Sequence, residues 1–121
     1  MEEGIQRALA RDRTIDITTT GWKSGQLYRT EIWFYHLDGN LSITGTPGWR
    51  DWYANLVAHP AFTFHLKRTV QADLPARATP ILEPAQRREI LARMHQNLGR
   101  GCDLEVWVAG SPLVQVVLLR R

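Results

Sequence analysis

The sequence predicts an α+β fold, a mainly antiparallel β-barrel of six or seven strands flanked by two or three helices. Three observations carry that reading. Strand-like alternation recurs along the chain, most connections have hairpin length, and strands mostly follow strands instead of alternating with helices. Such strands pair antiparallel. Closing them into a small barrel with helices over its ends is the economical way to hide their edges. The 121 residues fit one domain spanning 1–121, large enough to bury roughly two-thirds of its unfolded surface without covalent staples.

Residues 1–11 place Ile5, Ala8 and Leu9 on one helical face behind Glu2 and Glu3, which suit a first turn. Thr14–Thr20 (TIDITTT) is β-branched and alternating, and predicts a strand that breaks at the glycine-bounded loop Gly21–Gly25. Tyr28–Leu37 is an aromatic-rich strand. Asp38-Gly39-Asn40 is a hairpin turn, and Leu41–Gly45 returns as the partner strand. After the Pro47-Gly48 loop, apolar residues at 49, 52, 53, 56 and 57 predict a helix over Trp49–Ala58, ended by His59-Pro60. Phe62, Phe64 and Leu66 alternate with polar neighbours as a half-buried strand. Val70–Leu82 is extended, with prolines that suggest an edge or a bend. Glu83–Leu98 is a helix opening on Pro84. Leu104–Ala109 and Leu113–Leu119 read as two last strands joined by Gly110-Ser111-Pro112.

Composition narrows the function classes. Hydrophobic residues at 44% and charged residues at 22% describe a globular chain. No apolar run approaches the ~20 residues of a membrane span. The opening MEEGIQRALARDR has no apolar centre and is not a secretory signal, so the expectation is a cytoplasmic protein. A single cysteine, Cys102, excludes an intrachain disulfide, and the four histidines lack metal-binding spacing, so no metal site is expected. A net charge of +3 can steer an anionic ligand. With only two lysines and dispersed arginines there is no basic stripe for nucleic acid, and no nucleic-acid partner is expected.

Two segments carry candidate chemistry. In Gly21-Trp22-Lys23-Ser24-Gly25 the glycines let backbone amides approach an anion, Lys23 adds a charge and Ser24 a hydroxyl. Arg29, a few residues on, carries a fork-shaped cation suited to phosphate or carboxylate. The spacing is not that of a P-loop, and a solvated hairpin loop is the plainer reading of the segment taken alone. In Trp49–Leu56, aromatics crowd a helix just after a Pro-Gly loop, where free amides face an anion or a ring carbonyl. Trp52 and Leu56 also fit a core role. No nucleophile elbow surrounds Ser24, Ser42 or Ser111. Asp16, Glu31 and Asp38 are scattered, and His36 and His65 sit on the polar faces of their strands, facing solvent or a pocket rim. Aromatic walls and a small anion loop without an acid–base set suit a cofactor that brings its own reactivity.

These residues carry a family resemblance. Thr18-Thr19-Thr20-Gly21-Trp22-Lys23-Ser24-Gly25 resembles the TTGRKSG loop of the deazaflavin (F420)-dependent nitroreductase family. Ile43–Gly48, Asp51–Leu56 and His59-Pro60 resemble its glycine-containing loop and WYxNLxAxP helix, in the same order and spacing. The resemblance implies a split β-barrel and an F420H2-dependent oxidoreductase that passes a hydride to a small activated acceptor such as an enone, quinone or nitro compound. It implies that Trp22, Lys23, Ser24, Gly25 and Arg29 hold the anionic part of F420. Thr46, Pro47, Gly48 and Trp52 would line its ring. Trp22 stands where relatives often carry arginine, a charge that Arg50 can restore. Nitroimidazole-reducing members use C-terminal tyrosines, and this chain has none after Tyr53. Trp107 is the large aromatic left for a substrate pocket, with Tyr28 and Tyr35 as candidate hydrogen-bond donors to the acceptor. The alternative is a split-barrel protein that binds FMN or haem, or stores F420, without turnover. Split barrels are often homodimers, so a second copy is a possible partner. Either reading requires the glycine-bounded loop and the aromatic helix to converge on one ligand.

Overall fold

A computed structural model of the chain describes residues 2–98 and 103–119. Its elements in order are α1 (Glu3–Arg11), β1 (Thr14–Thr20), β2 (Leu27–Leu37), β3 (Asn40–Thr44), α2 (Asp51–Ala58), β4 (Ala61–Leu66), β5 (Ala72–Pro80), α3 (Pro84–Leu98), α4 (Leu104–Gly110) and β6 (Leu113–Leu118). The six strands close into an antiparallel barrel in the order β1-β2-β3-β6-β5-β4. Period-two alternation sends Ile15, Ile17, Phe34, Ile43, Phe64, Ala76 and Val114 inward, with Phe34 and Phe64 meeting edge-on at 5.3 Å. At Asp38-Gly39 both residues have positive φ, 52° and 79°, the twist a two-residue hairpin needs, and this fixes the β2–β3 register.

The helices follow from where apolar surface remains. Ala8 and Leu9 of α1 and Trp52 and Leu56 of α2 join the barrel core. A second cluster lies outside the barrel, where Tyr35 and Leu113 meet Leu91 and Met94 of α3 and Leu104, Trp107 and Val108 of α4. Strand β3 is therefore covered on both faces over Leu41–Thr44.

Four expectations need correction. Leu104–Ala109 is the helix α4, not a strand, which raises the helix count to four among the described residues. Asp103 caps it by accepting the Glu105 N–H at 3.0 Å. Leu104, Trp107 and Val108 fall at i, i+3 and i+4 and pack against the second cluster. At its far end the Arg87 guanidinium of α3 donates to the Val108 and Ser111 carbonyls at 3.0 and 2.7 Å, satisfying groups a helix end leaves open. These contacts outweigh the strand preference of its valines. β5 is not an edge: it pairs with β4 and β6 at once, and its prolines Pro75 and Pro80 fall where the β6 ladder ends. His65 is neither solvent-facing nor on a rim. It is buried on the outer barrel surface, hydrogen-bonded to Thr18 and Asp73 at 2.7 Å each. Asp16 and Glu31 are not scattered but face each other across β1 and β2, both bound to Lys67. Cys102 lies outside the described residues.

Candidate cofactor and acceptor cleft

The site begins with a change of partner along β2. Over Leu27–Trp33 this strand pairs with β1, and only over Phe34–Leu37 with β3. Its first half thus presents an edge that β3 does not cover. The loop from Gly45 to Arg50 and the start of α2 lie across from that edge, and the gap between them is a cleft.

The Gly21–Gly25 loop forms one wall. The Gly21 N–H donates to the Gln26 carbonyl at 2.7 Å and the Gly25 N–H to the Gly21 carbonyl at 2.9 Å. Gly25 has a φ of +72°, which favours glycine, and a Cβ on Gly21 would fall 2.7 Å from both Ser24 Oγ and the Tyr28 ring. So tight a turn leaves little slack. Buried Asn55 of α2 then ties the loop to the helix. Its Oδ1 accepts the Trp22 N–H at 2.9 Å, and its Nδ2 donates to Thr19 Oγ1 at 3.0 Å. The glycine-bounded loop and the aromatic helix therefore converge. Trp22 and Trp49 also meet edge-on at 6.3 Å, although Trp49 is 67% exposed.

Two adjoining grooves make up the cleft. One, about 420 Å³, is lined by Gly21, Trp22, Lys23, Ser24, Tyr28, Arg29, Thr30, Asp51, Trp52 and Asn55. The other, about 510 Å³, is lined by Thr30, Glu31, Ile32, Trp33, Tyr35, Thr44, Gly45, Thr46, Arg50, Trp52, His95 and Trp107. Thr30 and Trp52 belong to both. The first groove is cationic and polar; the second is dominated by flat rings. All five tryptophans stand in or beside the cleft.

The cations differ in how far they are already engaged. Arg29 donates from Nε to Asp16 at 2.8 Å. Asp16 also takes Lys67 at 2.7 Å, and the Lys67 hydrogen bond holds its carboxyl below the ordinary value, with help from Arg29 and against the opposing effect of burial. Arg50 folds back on its own loop, donating to the Trp49 carbonyl at 2.8 Å, to the Thr46 carbonyl at 3.1 Å and to the Thr46 hydroxyl. Lys23 has no ion pair among the described residues; its Nζ lies 4.7 Å over the Trp22 ring. It is the cation best placed to meet an incoming anion.

The sequence-stated candidates divide accordingly. Trp22, Lys23, Ser24, Arg29 and Tyr28 line the first groove, Thr46, Arg50, Tyr35 and Trp107 the second, and Trp52 both. Ser24 Oγ is bonded to Tyr28 Oη and to the Gln26 N–H, both at 3.1 Å. Gly25 shapes the turn without lining a groove. Pro47 and Gly48 stand behind the loop against the end of α4, where the Gly48 N–H donates to the Gly110 carbonyl at 3.1 Å. Sequence reasoning missed Asn55, Trp33 and His95. Asn55 lies inside the recognised helix pattern, where an asparagine mid-helix among apolar residues was the available signal. For His95 there was none, because it meets Trp107 only through the packing of α3 on α4, ring centroids 4.8 Å apart.

The chain is a small barrel with a cleft whose one groove carries Lys23 and Arg29 and whose other carries Trp33 and Trp107. The chain belongs to the F420H(2)-dependent quinone reductase family, whose model matches residues 2–109. It is therefore an oxidoreductase that uses the deazaflavin F420. Comparison with curated proteins gave no match. Among solved structures it is similar to an F420 reductase (17% identity, 99% of this chain and 97% of the other, TM-score 0.70). It is also similar to the protein Rv2991 of Mycobacterium tuberculosis (20% identity, 99% and 82%, TM-score 0.71). A third is the haem storage protein HutZ of Vibrio cholerae (13% identity, 99% and 91%, TM-score 0.74). At such identities these likenesses establish the split-barrel fold. The donor set fits F420: a lysine, hydroxyls and a glycine turn for an anionic tail, and tryptophan faces for a ring. No helix among the described residues is long and apolar enough to cross a membrane.

Proposed function

We propose that the chain reduces a small, planar, activated acceptor, a quinone foremost and an enone or nitro compound of similar size next, with F420H2 as reductant. The observation that supports this most is the continuity of the two grooves through Thr30 and Trp52, which joins the Lys23 loop to the Trp107 wall. When bound, reduced F420 supplies a hydride and leaves little else for the protein to do chemically. Lys23, with the amides of its loop, fixes the anionic tail. Trp52, between the grooves, sets the plane of the ring, and Trp33 and Trp107 bound the space left for an acceptor. Asn55 keeps loop and helix at fixed separation, which matters because hydride transfer tolerates little misplacement.

The test is titration of F420, FMN and hemin into the purified protein, read by tryptophan fluorescence, followed by turnover of F420H2 with 2-methyl-1,4-naphthoquinone. Micromolar F420 binding with quinone-dependent oxidation of F420H2 supports the proposal. FMN or hemin binding with no response to F420 refutes it in favour of a cofactor carrier, and F420 binding without turnover on any acceptor makes the chain a storage protein.

A further inference from the structure

The outer face of the barrel carries a chain of hydrogen bonds that the proposed reduction does not use. Thr18 of β1, His65 of β4 and Asp73 of β5 lie on adjacent strands. Thr18 Oγ1 is 2.7 Å from His65 Nε2, and His65 Nδ1 is 2.7 Å from Asp73 Oδ1. Chemistry assigns the donors. An ionised carboxylate only accepts, so Nδ1 carries the proton of the neutral ring. Nε2 then keeps its lone pair, and the Thr18 hydroxyl donates to it. The imidazole is buried, whereas Thr18 is half-buried and Asp73 exposed. A hydroxyl held by a base, with the base held by a third group, is the arrangement that activates an alcohol as a nucleophile. The flanks suit this as well. Strand pairing sets Arg29 opposite Thr18 and Asp73 opposite His65, and both flanking residues line a hollow of about 1250 Å³. Arg29 is anchored to Asp16 through Nε, so its terminal nitrogens can meet an oxygen that gains charge.

We infer that Thr18, His65 and Asp73 form a second active site, one that hydrolyses small carboxylic esters without F420. Thr18 Oγ1 attacks the ester carbonyl carbon while His65 Nε2 takes its proton. The C=O π pair moves to oxygen, where the Arg29 guanidinium offsets the charge. That pair then returns, the C–O bond to the alcohol breaks, and Nε2 gives the leaving alcohol its proton. Water attacks the acyl-threonine in the same way, which releases the acid and restores Thr18. Ester and water become acid and alcohol, with no change of oxidation state. Asp73 is a positioning residue: it accepts the Nδ1–H throughout and fixes the tautomer.

The test uses the purified protein without F420. A fluorophosphonate, whose adduct on an activated hydroxyl persists, is located by peptide mass spectrometry, and turnover is followed with p-nitrophenyl acetate. Wild type and Thr18→Ser should be labelled at residue 18 and turn over, and Thr18→Val should do neither. His65→Gln should slow nitrophenolate release on the order of 100-fold, as expected for one lost general base. The Asp73 side chain is 74% exposed, so Asp73→Asn keeps the fold and serves if the variants at 18 and 65 do not. It should slow labelling of Thr18, with Asp73→Glu restoring part of the rate. A wild-type protein unlabelled at Thr18 overturns the inference. Labelling that persists unchanged in His65→Gln or Asp73→Asn overturns it too, by reducing the three residues to a clamp between strands. With no cofactor present, neither result bears on reduction by F420H2.

Discussion

Asn55→Ala removes the bridge that holds the two walls of the cleft together, and its effect can be worked from the structure. Two hydrogen bonds disappear, one from the Trp22 N–H at 2.9 Å and one to Thr19 Oγ1 at 3.0 Å. Each is worth about 1 kcal/mol net, and leaving the Thr19 hydroxyl unpaired at 1% exposure adds roughly 1 kcal/mol or more. A total of ~2–4 kcal/mol corresponds to a fall in Tm on the order of 6–15 °C for a domain of this size. The loop is also released from α2, so F420 affinity should fall although Asn55 carries no charge. Thermal unfolding by circular dichroism measures the first effect and fluorescence titration the second. Thr19→Val, alone and combined with Asn55→Ala, completes a double-mutant cycle whose coupling should be ~1 kcal/mol. An Asn55→Ala protein that melts within about 2 °C of wild type and binds F420 unchanged would refute the bridge.

Lys23→Ala should weaken F420 binding by ~1–2 kcal/mol, one charge-assisted contact, with little change in Tm because the side chain rests on an exposed ring; an unchanged dissociation constant would reduce Lys23 to a solvated loop residue. Trp107→Ala should change the ranking of acceptors more than the affinity for F420, and equal losses across quinone, enone and nitro substrates would count against a pocket role. Asp16, whose carboxyl is held below its ordinary value chiefly by Lys67, stabilises the fold above the unfolded-state value near 4 and loses that contribution as pH falls through its lower folded value. Asp16→Asn should therefore be less stable than wild type at neutral pH, with the gap closing under acid. A gap that is constant from pH 7 to about pH 2 would show that the carboxylate charge contributes nothing.

Much of this molecule is legible without coordinates because local constraints and burial agree. Alternation in Thr14–Thr20 and Phe62–Leu66 places side chains on one face whatever the partner strand, and Asp38-Gly39 allows one kind of turn. The Lys23 loop and the Trp52 helix are readable for the same reason: each is a contiguous motif. Where the reading fails, a distant segment decides. Leu104–Gly110 fits either period, and only Asp103, the α3 face and the Arg87 guanidinium make it helical. His65 looks solvent-facing on its own strand until Thr18 and Asp73 from neighbouring strands close over it.

The amino-acid order by itself determined the barrel, the two segments proposed to meet a cofactor and the family to which the chain belongs. Tertiary structure alone decided that Asn55 joins those segments, that Arg29 and Arg50 are largely engaged elsewhere while Lys23 is not, and that His95 faces Trp107. The physical reason is range. Propensity, periodicity and turn chemistry act over a few residues, whereas an ion pair or an unpartnered nitrogen is defined by what the folded chain brings beside it.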